Sequence, residues 1–235
     1  MHQPAPPPLV VFDLDGTLVD TAPDLIDTLN ALLRREGIAT VPFEEARQFI
    51  GGGARLLIER GLMAHGRACG PAEIDRLYAV YVEDYAARIA DLSRPFPGLE
   101  DALDTLAGQG CRFAVCTNKL ERLSVQLLEA LGLAPRFPVI CGQDTFAMMK
   151  PDPRVLLATV AAAGGTPAAA LMVGDSRTDI VTARAAGIPV VAVDFGYTEV
   201  PVATLGPDRV ISRFADLPGA AAELLRLPWT AGSPA

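Results

Sequence analysis

Two carboxylates close the first apolar segment of the chain. Residues Leu9 to Phe12 form a short apolar run, and Asp13 and Asp15 follow it with one residue between them. Apolar runs of this length are typical of a buried central strand, and side chains two apart in an extended chain point the same way. Because an unpaired buried carboxylate is very costly, the pair indicates either a polar turn or a site where a cation or a reaction uses both groups.

The composition is that of an acidic chain with a large core. The 235 residues are 50% hydrophobic and carry a formal net charge of −8. The chain has no basic run and no apolar run of membrane-spanning length, so we expect neither a nucleic-acid nor a membrane partner. Its four cysteines lack a CxxC pair and indicate reduced thiols, and the N-terminus lacks the pattern of a signal peptide. We therefore expect a cytoplasmic protein, either monomer or homodimer.

Apolar spacing divides the chain into two kinds of region. Residues 21–93 have helical spacing throughout, and the prolines of the segment Arg94 to Gly98 end that pattern. Strands and helices then alternate, which predicts an α/β fold with a Rossmann-like parallel sheet. The predicted strands are Arg112–Cys116, Val139–Cys141, Ala170–Val173 and Val190–Val193. We expect a core domain of residues 9–20 and 94–227, an inserted all-helical cap of residues 21–93, and flexible tails at 1–8 and 228–235.

Polar residues follow the predicted strands where the strands end. They are Asp13 and Asp15, then Thr117 and Asn118, then Lys150, then Asp175 and Asp179. Each group alone has an ordinary interpretation, such as a helix cap, a solvated charge or an acid at a helix N-terminus. Because the carboxyl ends of parallel strands share one edge of a sheet, the groups are expected to converge there.

The residue types suggest what such a site would do. Several carboxylates without a nearby histidine or a cysteine pair favour a hard cation such as Mg²⁺. A lysine, a hydroxyl and an amide beside that cation favour a phosphoryl group. A carboxylate can attack the phosphorus and form an aspartyl-phosphate, and a second carboxylate can exchange protons with the leaving oxygen and with water. The sequence therefore predicts Mg²⁺-dependent phosphoryl transfer.

The four motifs resemble those of the haloacid dehalogenase superfamily of phosphohydrolases. They read DLDGT from Asp13, Thr117-Asn118, Lys150-Pro151 and GDSRTD from Gly174. The resemblance implies that Asp13 is the nucleophile and Asp15 the general acid and base. It also implies that Mg²⁺ is bound by Asp13, Asp175 and the backbone carbonyl of Asp15. The phosphoryl group would contact Thr117, Asn118 and Lys150, with Thr17 and Asp179 supporting these groups from behind.

Longer segments are similar to the phosphoglycolate phosphatase subfamily, notably FIGGGARLLIERGL in the cap, CTNK and VGDSRTDI. This similarity implies hydrolysis of 2-phosphoglycolate to glycolate and phosphate. Candidates for contacting the substrate carboxylate are the backbone N–H groups of Gly52 and Gly53 and the guanidinium of Arg55. The glycine run could equally be a turn, and Arg55 a solvated charge. Three tyrosines at helical spacing, Tyr78, Tyr81 and Tyr85, are expected to pack inside the cap.

Other activities remain open at this stage. The chain could be a phosphatase of another small metabolite, such as a sugar phosphate, N-acetylmuramate 6-phosphate, a nucleotide or pyrophosphate. It could also be an isomerase similar to β-phosphoglucomutase, or a non-catalytic phosphate-binding protein. The complete set of Asp13, Asp15, Lys150 and Asp175 argues against the last.

Overall fold

The computed structural model describes residues 7–198 and 200–227. Most of the predicted tails, residues 1–6 and 228–235, lies outside the described residues. Six strands form a parallel sheet in the order β5-β4-β1-β6-β7-β8, which confirms the predicted α/β fold. The strands are β1 (Leu9–Phe12), β4 (Arg112–Cys116), β5 (Val139–Cys141), β6 (Ala170–Gly174), β7 (Val190–Val193) and β8 (Arg209–Ile211).

The first strand lies in the middle of the sheet because both of its faces are apolar. All four residues of β1 are completely buried. Val10 and Phe12 pack in one hydrophobic cluster, and Leu9 and Val11 pack in a second cluster. Phe12 pairs with residues on both neighbouring strands, β4 and β6. The residues that follow these three strands therefore emerge side by side at one edge of the sheet.

Four helices follow the first strand and form a block of residues 22–86, which we call the helical block. They are α1 (Ala22–Arg35), α2 (Phe43–Arg47), α3 (Gly53–Met63) and α4 (Pro71–Ala86). A two-residue antiparallel ribbon, β2 (Val19–Asp20) with β3 (Arg94–Pro95), joins the entrance and the exit of this block. Sequence periodicity did not predict the ribbon, because two residues are too few to show an alternation. The division into core and cap domains stays a prediction.

The remaining helices cover the sheet. They are α5 (Leu99–Gly108), α6 (Glu121–Ala130), α7 (Pro153–Ala162), α8 (Arg177–Ala185) and α9 (Leu217–Leu225). A single 3₁₀ turn, Phe214–Asp216, precedes α9. Strand β8 was not predicted, since it has three residues, two of them exposed at the edge of the sheet. Among the described residues, no helix combines the length and the apolar character needed to cross a membrane.

Helices α7 and α1 begin in different ways. Asp152 caps α7, and its carboxylate accepts a hydrogen bond from the backbone N–H of Arg154 at 2.9 Å. Helix α1 has no side-chain cap. Thr21 occupies the capping position, but its side chain makes no capping hydrogen bond. The Asp20 carboxylate instead accepts a hydrogen bond from the Tyr197 hydroxyl at 2.5 Å.

Candidate active site

A buried lysine connects two of the predicted strand-end carboxylates. The Lys150 Nζ lies 2.9 Å from Asp13 Oδ1 and 2.6 Å from Asp179 Oδ1. All three side chains are buried. The backbone N–H of Leu14 also donates to Asp13 Oδ1, at 2.7 Å. The structure therefore brings together groups that are far apart in the chain, at the edge of the sheet that the sequence indicated.

Negative charge exceeds positive charge in this cluster. Carboxylate oxygens of Asp13, Asp175 and Asp179 lie within 4.8 Å of one another. Burial, partly offset by Lys150, raises the pKa of Asp13 to about 6. Burial and repulsion from Asp179 and Asp13 raise the pKa of Asp175 to about 8. Burial alone would lower the pKa of Lys150, but attraction to Asp13 and Asp179 outweighs it and the pKa rises. One ammonium therefore leaves the carboxylates undercompensated, which is the charge balance of a divalent-cation site.

The Asp175 carboxylate is held from two sides. Its Oδ1 accepts a hydrogen bond from the Thr17 hydroxyl at 3.1 Å, and its Oδ2 accepts one from the backbone N–H of Tyr197 at 2.6 Å. Gly16 makes this approach possible. It has a φ of +83°, and a Cβ on it would lie 2.5 Å from Asp175 Oδ2. Thr17 thus lies against Asp175, and its supporting role at the site stays a prediction.

Asp179 serves both the helix and the lysine. Its Oδ2 accepts hydrogen bonds from the backbone N–H and the hydroxyl of Ser176, at 3.0 and 2.6 Å. Ser176 Oγ in turn caps α8 by accepting from the Asp179 N–H, which completes a capping box. The other Asp179 oxygen accepts from Lys150. Both Asp179 oxygens are therefore engaged, one by Lys150 and the other by Ser176.

Asn118 connects the loop that carries Lys150 to the loop after β4 by hydrogen bonds. Its Oδ1 accepts from the Lys150 N–H at 2.9 Å, and its Nδ2 donates to the Lys150 carbonyl at 3.0 Å. The Thr117 hydroxyl accepts a hydrogen bond from the Lys119 N–H at 3.2 Å. Asn118 therefore sets the position of Lys150. The contact of Asn118 and Thr117 with a phosphoryl group stays a prediction.

Lys119 lies beside these groups, although its sequence motif assigns it no role. Its Nζ donates to both carboxylate oxygens of Asp15, at 2.9 and 3.1 Å, and lies 4.4 Å from the centre of the Tyr85 ring. The side chain is 5% exposed, so this ion pair is not a surface contact. Its position directly after Thr117-Asn118 is the feature of the sequence that could have indicated that Lys119 lies near the site. The role of Tyr85 could not be read from the sequence, since it lies in the distant helix α4.

A cavity of about 40 Å³ lies between these strand ends and the helical block. The lining residues outside the helical block include Asp13, Asp15, Thr117, Asn118, Lys119 and Gln143. The helical block contributes a mainly apolar set that includes Gly51, Gly53, Tyr78, Tyr81 and Tyr85. The three tyrosines, expected to pack within the cap, also form the wall of this cavity.

Two of the three cap residues that were candidates for substrate contact are not in the lining of the inner cavity. Gly52 and Arg55 line a second, more open cleft outside the inner cavity, whereas Gly53 borders both. The Arg55 guanidinium forms an ion pair with Asp75 and lies over the Tyr78 ring, with its side chain 48% exposed. Contact of these residues with a substrate stays a prediction, and the geometry gives Arg55 a partner already.

The helical block also contacts the loop that holds Asp175. Arg47, at the end of α2, donates to the carbonyls of Phe195 and Gly196 at 3.1 and 3.0 Å. The next residue, Tyr197, supplies the N–H that binds Asp175, and its hydroxyl accepts from the Ala22 N–H at 2.9 Å. The position of the block and the position of this carboxylate are therefore physically linked.

Comparison with known proteins gives a consistent set of relatives. Residues 10–193 match the family of haloacid dehalogenase-like hydrolases. A Mesorhizobium japonicum protein named phosphoglycolate phosphatase is 51% identical over 218 residues, covering 93% of this chain and 96% of the relative. One from Caulobacter vibrioides with the same name is 48% identical, covering 92% and 91%. A crystal structure from Haemophilus somnus, of a protein described as a predicted phosphoglycolate phosphatase, has a TM-score of 0.83 and 29% identity, covering 90% of this chain and 96% of that one.

Proposed function

The chain belongs to the family of haloacid dehalogenase-like hydrolases, and we propose that it hydrolyses 2-phosphoglycolate to glycolate and phosphate. The family is the one that the four motifs predicted, and that prediction is confirmed. The substrate is taken from the relatives named phosphoglycolate phosphatase, which cover nearly the whole chain. The site of this chain supports the reaction independently, as follows.

One observation carries the assignment of a phosphatase. Asp13 lies at the end of the central strand with one oxygen held by Lys150 and by a backbone N–H, at 2.9 and 2.7 Å. A carboxylate fixed in this way beside an ammonium is oriented for attack on a phosphoryl group, whose negative oxygens the ammonium stabilises. The sheet fixes this arrangement, since β1 is paired on both sides.

Mg²⁺ fits the donor set of the site. The carboxylates of Asp13 and Asp175 and the backbone carbonyl of Asp15 are hard oxygen ligands of the kind that Mg²⁺ prefers. The excess of buried negative charge is the structural reason to expect a cation there. When bound, Mg²⁺ would neutralise charge on the phosphoryl oxygens and keep the Asp13 carboxylate ionised.

The chain's own residues account for the two chemical steps. An Asp13 oxygen attacks the phosphorus, a phosphorus–oxygen bond to Asp13 forms, and the bond to the glycolate oxygen breaks. Asp15 donates a proton to that leaving oxygen. Asp15 then removes a proton from water, whose oxygen attacks the phosphorus of the aspartyl-phosphate and releases phosphate and free Asp13. Lys150 stays against the phosphoryl group in both steps and is positioned by Asn118 and Asp179.

The size of the cavity favours a small substrate. The inner cavity has a volume of about 40 Å³, which is small beside the cavities of several hundred Å³ that hold drug-sized ligands. A two-carbon acid extends the phosphoryl group by only a few atoms, whereas a hexose or a nucleoside would require the helical block to move away. The Mg²⁺-dependent phosphatase of a larger metabolite and the isomerase are therefore the weaker candidates.

Phosphate release from a panel of esters tests the proposal. The panel contains 2-phosphoglycolate, sugar phosphates, N-acetylmuramate 6-phosphate, nucleoside monophosphates and pyrophosphate, each with and without Mg²⁺. We expect the highest kcat/KM with 2-phosphoglycolate and Mg²⁺. Asp13→Asn should lower kcat at least about 1000-fold, as removal of a nucleophile does. Near-normal activity of that variant would refute the mechanism, and no turnover of any ester would support a phosphate-binding protein instead.

A further inference from the structure

Lys119 is the one cationic side chain that lines the inner cavity within the part of the chain that the structure describes. Lys150, the other buried lysine, is held by Asp13 and Asp179 at the phosphoryl position. Lys119 is instead paired with Asp15 alone. Its backbone is fixed on both sides, since its N–H donates to Thr117 Oγ1 and its carbonyl accepts from the Gln143 N–H. The side chain is therefore anchored at its base, and its ammonium lies at the cavity wall.

A hydroxyl without a partner accompanies this ammonium. The Tyr85 hydroxyl is buried, with the residue 1% exposed, and has no hydrogen-bond partner among the described residues. Its neighbour on the same helix, Tyr81, has a ring that stacks on Tyr85, but its hydroxyl donates to the Leu25 carbonyl at 3.1 Å. A buried hydroxyl without a partner is costly. The face of the Tyr85 ring also lies against Lys119, at 4.4 Å from ring centre to Nζ.

The substrate that we propose has a second negative group, a carboxylate one carbon from the phosphate ester oxygen. Burying that carboxylate requires a cation and hydrogen-bond donors. Arg55, the candidate from the sequence, is paired with Asp75 and lies at the outer cleft. Lys119 and Tyr85 both line the inner cavity, and between them they supply an ammonium and a buried hydroxyl without a partner among the described residues.

We propose that Lys119 and Tyr85 bind the carboxylate of the substrate, and that Lys119 leaves the Asp15 carboxylate to do so. This inference rests on the proposed function and assigns the residues that select its substrate. In the structure, both Asp15 oxygens accept hydrogen bonds from the Lys119 ammonium. Transfer of the ammonium to the substrate carboxylate frees those oxygens for proton exchange with the leaving oxygen. A phosphate ester without a carboxylate leaves Lys119 on Asp15.

Two matched substrates and two variants test the inference. Ethyl phosphate has a methyl group where 2-phosphoglycolate has its carboxylate, so the ratio of kcat/KM for the two esters measures carboxylate recognition. We expect Lys119→Gln to lower this ratio about 10- to 100-fold, and Tyr85→Phe about 3- to 10-fold, in line with the loss of a charged and of a neutral hydrogen bond. Lys119→Arg, which keeps the charge, should restore part of the ratio.

Two control variants separate recognition from loss of structure. Tyr81→Phe removes a hydroxyl of the same helix that is already paired, and Arg55→Gln removes the competing cation. Both should change the ratio by less than about twofold. The inference is overturned if Lys119→Gln and Tyr85→Phe keep the wild-type ratio, or if Arg55→Gln abolishes the preference. The proposed function stands in either case. A wild-type enzyme without any preference for 2-phosphoglycolate would refute the proposed function, and this inference with it.

Discussion

Replacing Asp175 by asparagine should stabilise the protein when no metal is present. Asp175 is 2% exposed, and its pKa is raised to about 8 by burial and by repulsion from Asp179 and Asp13. In the unfolded chain a carboxyl group of this type ionises near pH 4. Between these two values the native state holds a proton that the unfolded chain has released, so folding loses stability as the pH rises. An amide has no such titration.

The amide also fits the hydrogen bonds of this position. Its oxygen can accept from the Tyr197 N–H, and its NH₂ group can donate to the Thr17 hydroxyl, which now donates to Asp175 Oδ1. The hydroxyl hydrogen of Thr17 loses its acceptor in this arrangement, so the gain from the relief of charge repulsion is partly offset. We expect Asp175→Asn to raise the free energy of unfolding by about 1–3 kcal/mol at pH 7.5 without Mg²⁺, which is a rise in Tm of about 2–10 °C for a chain of this size.

Urea and thermal unfolding, with and without Mg²⁺, measure this effect. If Asp175 binds Mg²⁺ as we propose, wild-type protein should gain stability from Mg²⁺ and Asp175→Asn should gain little, because the proposed ligand is gone. Asp152→Asn is the matched control, since Asp152 is a solvent-accessible N-cap and asparagine caps a helix equally well. An Asp175→Asn protein less stable than wild type without metal would refute the argument, as would an unchanged stabilisation by Mg²⁺.

Three further predictions follow from the same charges and contacts. Lys150→Met leaves the buried carboxylates without their ammonium and should cost about 3–5 kcal/mol in urea unfolding without metal; a cost under about 1 kcal/mol would contradict this charge balance. Wild-type protein without Mg²⁺ should lose stability steadily from pH 5 to pH 8, because burial raises the pKa of Asp13 to about 6 and of Asp175 to about 8. Saturating Mg²⁺ should flatten this profile. A free energy of unfolding that rises over that range without metal would contradict the prediction. Tyr197→Phe removes the hydroxyl that joins Asp20 to the Ala22 N–H. Thermal denaturation should show a free energy of unfolding that is lower by about 1–3 kcal/mol. An unchanged Tm would contradict this and would show that water replaces the hydroxyl.

The sheet could be predicted from the sequence because its inner strands are continuous apolar runs. The inner strands Arg112–Cys116 and Val190–Val193 have the bounds that the sequence indicated, and so does the apolar edge strand Val139–Cys141. The ribbon and β8 could not be predicted in this way, because the ribbon has two residues per strand and β8 has two of its three residues exposed, so neither has an apolar pattern of its own. The hydrogen bond at the start of α1 depends on tertiary structure, because Tyr197, which is distant in the chain, accepts it from the Ala22 N–H.

At the site, too, some contacts could be predicted from the sequence and others could not. The sequence predicted that four charged residues lie close together, because parallel strands present their carboxyl ends at one edge of the sheet. They are Asp13, Lys150, Asp175 and Asp179. The hydrogen bonds of Asn118 to the backbone of Lys150 could not be foreseen, since an amide beside a hydroxyl suits a phosphate equally well. Nor could the ion pair of Arg55 with Asp75, which depends on how α3 packs against α4.

The sequence by itself determined the family, most of the sheet and the acidic groups at the strand ends, because each motif and each strand is a short continuous segment of the chain. Only the tertiary structure decided what faces those groups. Lys119 and Tyr85 belong to a loop of the core and a helix of the helical block, and they meet only where the block lies over the strand ends. Spacing along a chain predicts which face of an element is buried, whereas the docking of one element on another decides which buried groups meet.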